Sequence, residues 1–477
     1  MKRTATYSLL VNFLLFAIIL IFSHPIYNTD EDVYVAYFLG GGFGPPTALL
    51  HYNYGMHPVL GLTLKTLTGI TINVNWYTIS LFAAHFISCV IIFNQILKTR
   101  RRSIATIAYL TLFILIETKF LLVPNFSNTS VICACAAATI LLKTQSFIPA
   151  ILMLLLGSMF RIHPLIPVAG ITMLFSLTSF PLKKSIRILG ALAIAAIAIL
   201  GLNIFHQSYY KANIPNWKAE ENYRQHIYKF YNHQITGLKP SDKWYQEVEL
   251  INNGMPFDTN YLSIAKLDLI IKETAAHKNP VRITSTNLYW FWMEYRILIV
   301  ALICFLLFGG LNRKQYISVV TTMTAAVASW IYLIYNLKLP EYVLISSFLL
   351  IFLFISIFGK DIPQENKIVN YAKLGLMSAI MLWGIIQLTK LDKKNREGIA
   401  QFKTSYSQLQ QNPNNLFISI GGAFPLQKFP SWRPPSEFPI RNLITGEHYL
   451  NNLHQDLILK FPKESVRYLG DSLILKR

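Results

Sequence analysis

Charge is scarce in this sequence. Only 14% of its 477 residues are Asp, Glu, Lys or Arg, while 53% are hydrophobic. A soluble chain of this length would carry charge on nearer a quarter of its residues, so the shortfall excludes an ordinary soluble enzyme or binding module. Cysteine is scarce too. The four cysteines, Cys89, Cys133, Cys135 and Cys304, all fall in apolar runs, which gives no disulfide framework. Cys133 and Cys135 stand two apart and would not share a helical face, which argues against a metal pair. No internal repeat, low-complexity tract or inverted repeat of the transporter kind is present. Acidic residues number 23 against 43 basic ones, a net charge of +20. That balance could suggest nucleic acid. Here Lys and Arg cluster in short loops between apolar runs, where they set topology and meet anionic headgroups, so nucleic acid is not expected as a partner.

What is abundant is hydrocarbon. The mean hydropathy is +0.40, and the apolar runs approach the roughly 20 residues that span a bilayer. Eleven are read as transmembrane helices: 7–23, 76–97, 104–123, 126–142, 147–160, 162–180, 186–205, 288–310, 316–337, 342–358 and 374–388. The first has the basic start of a signal peptide. It lacks a small-x-small cleavage site and runs into His24-Pro25, so it is read as a retained helix. The run 56–70 contains Lys65 and is short, which suits an interfacial or re-entrant helix. With Met1 in the cytoplasm, alternation puts "KTRRR" (98–102), "LKKSIR" (182–187), "NRK" (312–314) and "GKDIPQENK" (359–367) inside. Each is basic, as the positive-inside rule asks. Counting 56–70 as a span would throw "KTRRR" outside.

The expected fold is thus a polytopic α-helical membrane protein with about 11 transmembrane helices. Residues 1–389 form a transmembrane domain, with outer loops at 24–75 and 206–285. Residues 390–477 form an extracytoplasmic C-terminal domain. In that tail "NLFISIGG" reads as a strand and a glycine turn, and "VRYLGDSLILKR" as two short strands, so a small α/β unit is predicted.

Against this background three adjacent acids are conspicuous: Asp30, Glu31 and Asp32, on the outer side just past the first span. An acidic loop is ordinarily plain solvation. Here the acids are followed at once by Val33–Leu39, read as a helix at the membrane surface with Asn28 or Thr29 as N-cap and the acids in its first turn. "GGGFGPP" then forces a turn. Asp30 and Tyr34 lie one helical turn apart on one face.

The pattern of a first span, an outward Asp-Glu-x-x-Tyr and a surface helix resembles the C-type (GT-C) glycosyltransferases. That superfamily includes protein O-mannosyltransferases and lipid A aminoarabinose transferases. The span count, the long middle outer loop and the outer C-terminal domain are similar as well, and at motif level Asp30, Glu31 and Tyr34 match. "GITINVNWYTIS" (69–80) and "ENYRQHIYKFY" (221–231) also resemble segments of uncharacterised bacterial membrane proteins linked to cell-surface polysaccharide pathways.

The resemblance implies an enzyme of the bacterial inner membrane. It would move a sugar from a polyprenyl-phosphate donor to a glycan, lipid or protein acceptor on the outer face. An acceptor hydroxyl needs a general base, for which Asp30 is the candidate and Asp32 the rival. Glu31 would orient the acceptor or coordinate a divalent cation if one is used. The leaving phosphate needs donors at the outer ends of spans: Arg161 and His163 in "FRIHP", Lys338 in "NLKLPEY", and Lys119. Each could instead be a snorkelling or capping residue. "HYNYGMHP" adds His51, Tyr54 and His57 to the outer side, without a fixed zinc spacing. Other classes would place their residues differently. A flippase or transporter of lipid-linked sugars would bury charge at mid-membrane in several spans. A polymerase would use outer-loop arginines such as Arg224. An acyltransferase would need a membrane-facing histidine site.

Overall fold

A computed structural model describes residues 2–48, 56–233, 235, 238–252, 261–274, 280–336, 338–359, 367–419, 423–445, 460, 462 and 465–469; for 2, 280–287, 308, 367–372 and 467–469 it describes the backbone course alone. The described chain is mostly helical. Helices α1 (Lys2–Phe22), α2 (Asp30–Gly40), α3 (Pro58–Ile70), α4 (Trp76–Leu97) and α5 (Arg102–Leu112) lead through a π-helical turn (Phe113–Glu117) into α6 (Thr118–Leu122). Then come α7 (Phe126–Lys143), α8 (Phe147–Phe160), α9 (Leu165–Ser179), α10 (Leu182–Asn213), α11 (Trp217–His233), α12 (Tyr245–Asn252) and α13 (Ile264–Thr274). The last four are α14 (Pro280–Phe308), α15 (Arg313–Asn336), α16 (Glu341–Phe358) and α17 (Lys367–Gln411).

Among the described residues nine helical stretches are long and apolar enough to cross a membrane, and α8 and α9 are shorter apolar helices. All eleven runs read from the sequence fall on one or the other. The outward faces carry the expected lipid-like surface, such as Phe13, Leu14 and Ile18 on α1 and Ile197, Leu200 and Ile204 on α10. The chain is a helical multi-pass membrane protein. The run containing Lys65 forms the 13-residue α3, below the length of a span.

The bundle is built round α7, buried along nearly its whole length. Its sequence, FSNTSVICACAAATILLK, is dominated by small side chains, which let neighbouring helices approach closely. Gly157 of α8 uses that room: a Cβ there would lie 3.2 Å from both Cys133 Cβ and the Ser130 carbonyl oxygen. At the opposite end Arg100, in the basic loop, donates to the carbonyl oxygens of Gly309 (2.7 Å), Ile355 (2.8 Å) and Ser356 (3.0 Å). It thereby closes the ends of α14 and α16, where carbonyls have no helical partner.

Two expectations are corrected. First, α2 does not lie on the membrane surface. Val33 to Tyr37 are all buried. The C-terminal segment covers the helix: Phe429 packs edge-on against Tyr37, and a Cβ at Gly40 would stand 2.8 Å from Pro435 Cδ. Second, the expected boundary between 389 and 390 falls inside α17, which continues without a break to Gln411. Beyond it lies a three-stranded parallel sheet, with β1 (Leu416–Ser419) between β2 (Leu443–Ile444) and β3 (Val466–Leu469). The strand read in "NLFISIGG" is β1, and the first strand of "VRYLGDSLILKR" is β3; the second falls outside the described residues. Phe402, Phe424, Phe429 and Leu443 belong to the same core as the bundle, so the C-terminal unit is packed onto the membrane helices. Between α10 and α14, helices α11, α12 and α13 close round a small core of their own that includes Ile227, Phe230, Ile251 and Leu267.

Candidate functional site at one end of the bundle

The three acids part company at the start of α2. Thr29 is the N-cap, in extended backbone, and accepts a hydrogen bond from the Asp32 amide. The Asp32 side chain turns inward and is fully buried. Its Oδ1 accepts from Tyr77 Oη at 2.6 Å and from the Phe126 amide at 3.0 Å, and its Oδ2 accepts from Thr29 Oγ1 at 2.6 Å. The carboxylate thus satisfies an orphan amide at the start of α7 and joins three segments. Burial pushes its pKa up to about 7, against the pull of these three donors. Asp32 is not in the cleft, so its reading as a rival base is corrected to a structural one.

Asp30 and Glu31 face the other way, into a cleft of about 1100 Å³. Burial and the neighbouring Glu31 raise the Asp30 carboxyl above the usual carboxylate range, partly offset by Lys428 and the Gln427 backbone. Glu31 accepts from Tyr228 Oη at 3.3 Å and has Arg161 Nη1 at 3.9 Å from Oε2. Arg161, where α8 ends, also donates from Nη1 to Ser127 Oγ at 2.7 Å. Its guanidinium lies 5.1 Å from the Phe126 ring centre and 5.7 Å from that of Tyr342. The Arg161 Nε–H is buried without a partner among the described residues. His163 lines the same cleft, where burial and Arg161 hold its pKa below the usual histidine value. Lys338, exposed on the facing turn before α16, also lines it.

Five of the nominated side chains, Asp30, Glu31, Arg161, His163 and Lys338, therefore meet in one cleft. The others do not. Tyr34 is buried and donates to Thr445 Oγ1 at 2.8 Å, so the face it shares on α2 meets the C-terminal segment instead of a substrate. His57 is the N-cap of α3: its Nδ1 accepts from the Val59 amide at 3.3 Å and its Nε2 is 2.9 Å from the Leu202 carbonyl oxygen. Lys119 is held between Glu294 (2.7 Å) and Glu341 (3.3 Å), outside the cleft lining. His51 and Tyr54 lie outside the described residues. Arg224 is buried against Glu221, in a neighbouring pocket that takes in His57 and shares His163 and Gln225 with the cleft.

The sequence reading missed several walls of the cleft: Asn125, Ser127 and Asn128 at the start of α7, Tyr228 on α11, and Glu341 and Tyr342 at the start of α16. A signal existed in "PNFSNTS", a polar run opening an otherwise apolar helix. Among the described residues no three His, Cys, Asp or Glu side chains are grouped to hold a metal ion. No family model, curated protein or solved structure matches the chain.

Proposed function

We propose that this protein is an inverting glycosyltransferase that takes a sugar from a polyprenyl-phosphate donor and works on the outer face of a bacterial inner membrane. In this reading all eleven apolar runs span, the N-terminus is cytoplasmic and the C-terminal unit is extracytoplasmic. The observation that carries it is the cleft itself. It sets a half-buried carboxylate, Asp30, in one chamber with the cations Arg161 and Lys338, which come from distant turns at the same end of the bundle. Transfer needs both kinds of group. The acceptor oxygen forms a bond to the anomeric carbon as the bond from that carbon to the phosphate oxygen breaks. The acceptor proton passes to an Asp30 carboxylate oxygen, and the leaving phosphate takes the bonding pair. Arg161, Lys338 and His163 are the donors available to that phosphate. A raised pKa makes Asp30 a stronger base. Glu31, tied to Tyr228 and facing Arg161, orients the acceptor. The acceptor is a glycan, lipid or protein of the cell envelope.

General-base catalysis contributes about 10²–10⁴-fold, so Asp30→Asn should lose that much turnover. The measurement is transfer of labelled sugar from a polyprenyl-phosphate donor by membranes holding equal amounts of each protein. Full transfer by Asp30→Asn and by the double change Asp30→Asn/Glu31→Gln would leave the cleft with no role in such a reaction.

A further inference from the structure

An arginine of α14 lacks a counter-charge among the described residues. Arg296, on α14, makes no hydrogen bond or ion pair with any described residue; its guanidinium lies over the Trp383 indole of α17, 5.7 Å from the ring centre. An arginine carries five N–H donors and no acceptor, and at membrane depth such a group is costly unless paired. The nearest carboxylates on its own helix and on α16, Glu294 and Glu341, are both engaged by Lys119.

The position is defined by its neighbours. Tyr289, Trp290 and Trp292, just before Arg296 on α14, are exposed, and such residues mark the bilayer interface. Arg296 lies about one helical turn inward of Trp292. Beside it a groove of about 270 Å³ runs between the α5–α6 run, α14 and α17. Its polar lining is Arg296, Lys119, Glu294, Tyr295 and Gln387, with the Glu294 charge offset by Lys119 at 2.7 Å, and its apolar lining includes Leu115, Phe120 and Leu388. Met293, Leu382, Ile385 and Ile386, on the helices that border it, are exposed as lipid-facing residues are.

We infer that this groove is a binding site for an anionic glycerophospholipid. The phosphate would take the Arg296 donors, and an acyl chain would lie along the apolar wall. Arginine suits phosphate because its planar fork can donate two parallel hydrogen bonds. A membrane phospholipid is favoured over a lipid-borne substrate because the groove shares no lining residue with the cleft that holds Asp30, and the Lys119 ion pairs with Glu294 and Glu341 stand between them. The inference does not depend on the transferase reading.

The test is native mass spectrometry of the purified, delipidated full chain titrated with dioleoylphosphatidylglycerol. Arg296→Gln should weaken binding about ten- to a hundredfold, the range for losing a charge-assisted contact. Dioleoylglycerol, which lacks the phosphate, should bind the wild type as weakly. If Arg296→Gln does not fold, Arg296→Lys decides, since it keeps the charge but loses the fork and should bind severalfold more weakly. Unchanged affinity in the folded Arg296 variant would overturn the inference, as would equal binding of dioleoylglycerol. Retention of a polyprenyl phosphate but not of phosphatidylglycerol would give the groove to a lipid carrier and overturn the assignment as well.

Discussion

Asp30, Glu31 and Asp32 are neighbours in sequence but serve different surroundings, because successive helical residues point about 100° apart. Three consecutive acids in a first turn cannot all face one cleft. The sequence marks the cluster, but the choice between Asp30 and Asp32 depends on which side α4 and α7 occupy, which no local pattern encodes. Asp32 yields the prediction at this scale. Asp32→Ala leaves the Thr29 and Tyr77 hydroxyls and the Phe126 amide without their acceptor. It should cost about 3 kcal/mol or more, read as a drop in melting temperature in detergent. Asp32→Asn keeps an acceptor for the amide and a donor for the Thr29 oxygen, and should cost only about 1 kcal/mol. The sign with pH follows from the carboxyl raised to about 7. The folded chain holds a proton that the unfolded chain gives up near pH 4, so this group's contribution to stability falls as pH rises from about 4 to 7. The asparagine variant should lack that part of the slope, and an unchanged slope would contradict the burial.

At the scale of elements, hydropathy located the long apolar helices well, because a segment in lipid must satisfy its backbone internally and so reads as one continuous helix. The same rule hides how helices share the interior. α7 is the most enclosed span, but its composition of Ala, Ser, Thr and Cys makes it less hydrophobic than α8. Close packing selected small side chains there instead of greasy ones. α2 was misplaced for a related reason: an aromatic helix beside the bilayer looks interfacial until the segment that covers it, hundreds of residues later, is seen. The α7–α8 contact gives a test. Gly157→Val puts methyl groups where even a Cβ is 3.2 Å from Cys133 and the Ser130 carbonyl. Overpacking of this kind costs about 1–3 kcal/mol. Ser130 Oγ also donates to the Arg161 carbonyl oxygen at 2.6 Å, so the strain lies close to the cleft wall. Melting temperature should fall for Gly157→Val and change much less for Gly157→Ala. Equal melting of all three proteins would mean that the two helices do not approach as described.

For the whole molecule the charge pattern makes a strong claim. A reporter fused after Arg102 should read as cytoplasmic, and fusions after Asn232 or at the C-terminus as outer. An outer signal at Arg102 would require α3 to span and would invert every later loop. The cleft was legible in part for the same reason, since alternation brings 30–31, 161–163 and 338 to one side. The contributions of α11 and of the start of α7 were not, because a shared side does not specify which loops touch. The contacts that close this end run between the two extremes of the chain. His24 meets Asp392, with the His24 amide 2.6 Å from Oδ1. Asn395 donates to the Leu122 carbonyl oxygen at 2.9 Å. Asn75 donates to the Ser431 carbonyl oxygen at 2.8 Å, and the Ser431 amide donates to the Pro25 carbonyl oxygen at 3.1 Å. During synthesis the loop that bears the acids is therefore among the first parts to be made and among the last to be secured. It must wait until Phe429 has been made before Tyr27 and Tyr37 are covered. For most of its own translation the nascent protein presents this aromatic loop uncovered, and the segment from Asp392 to Ser431 acts as the keystone.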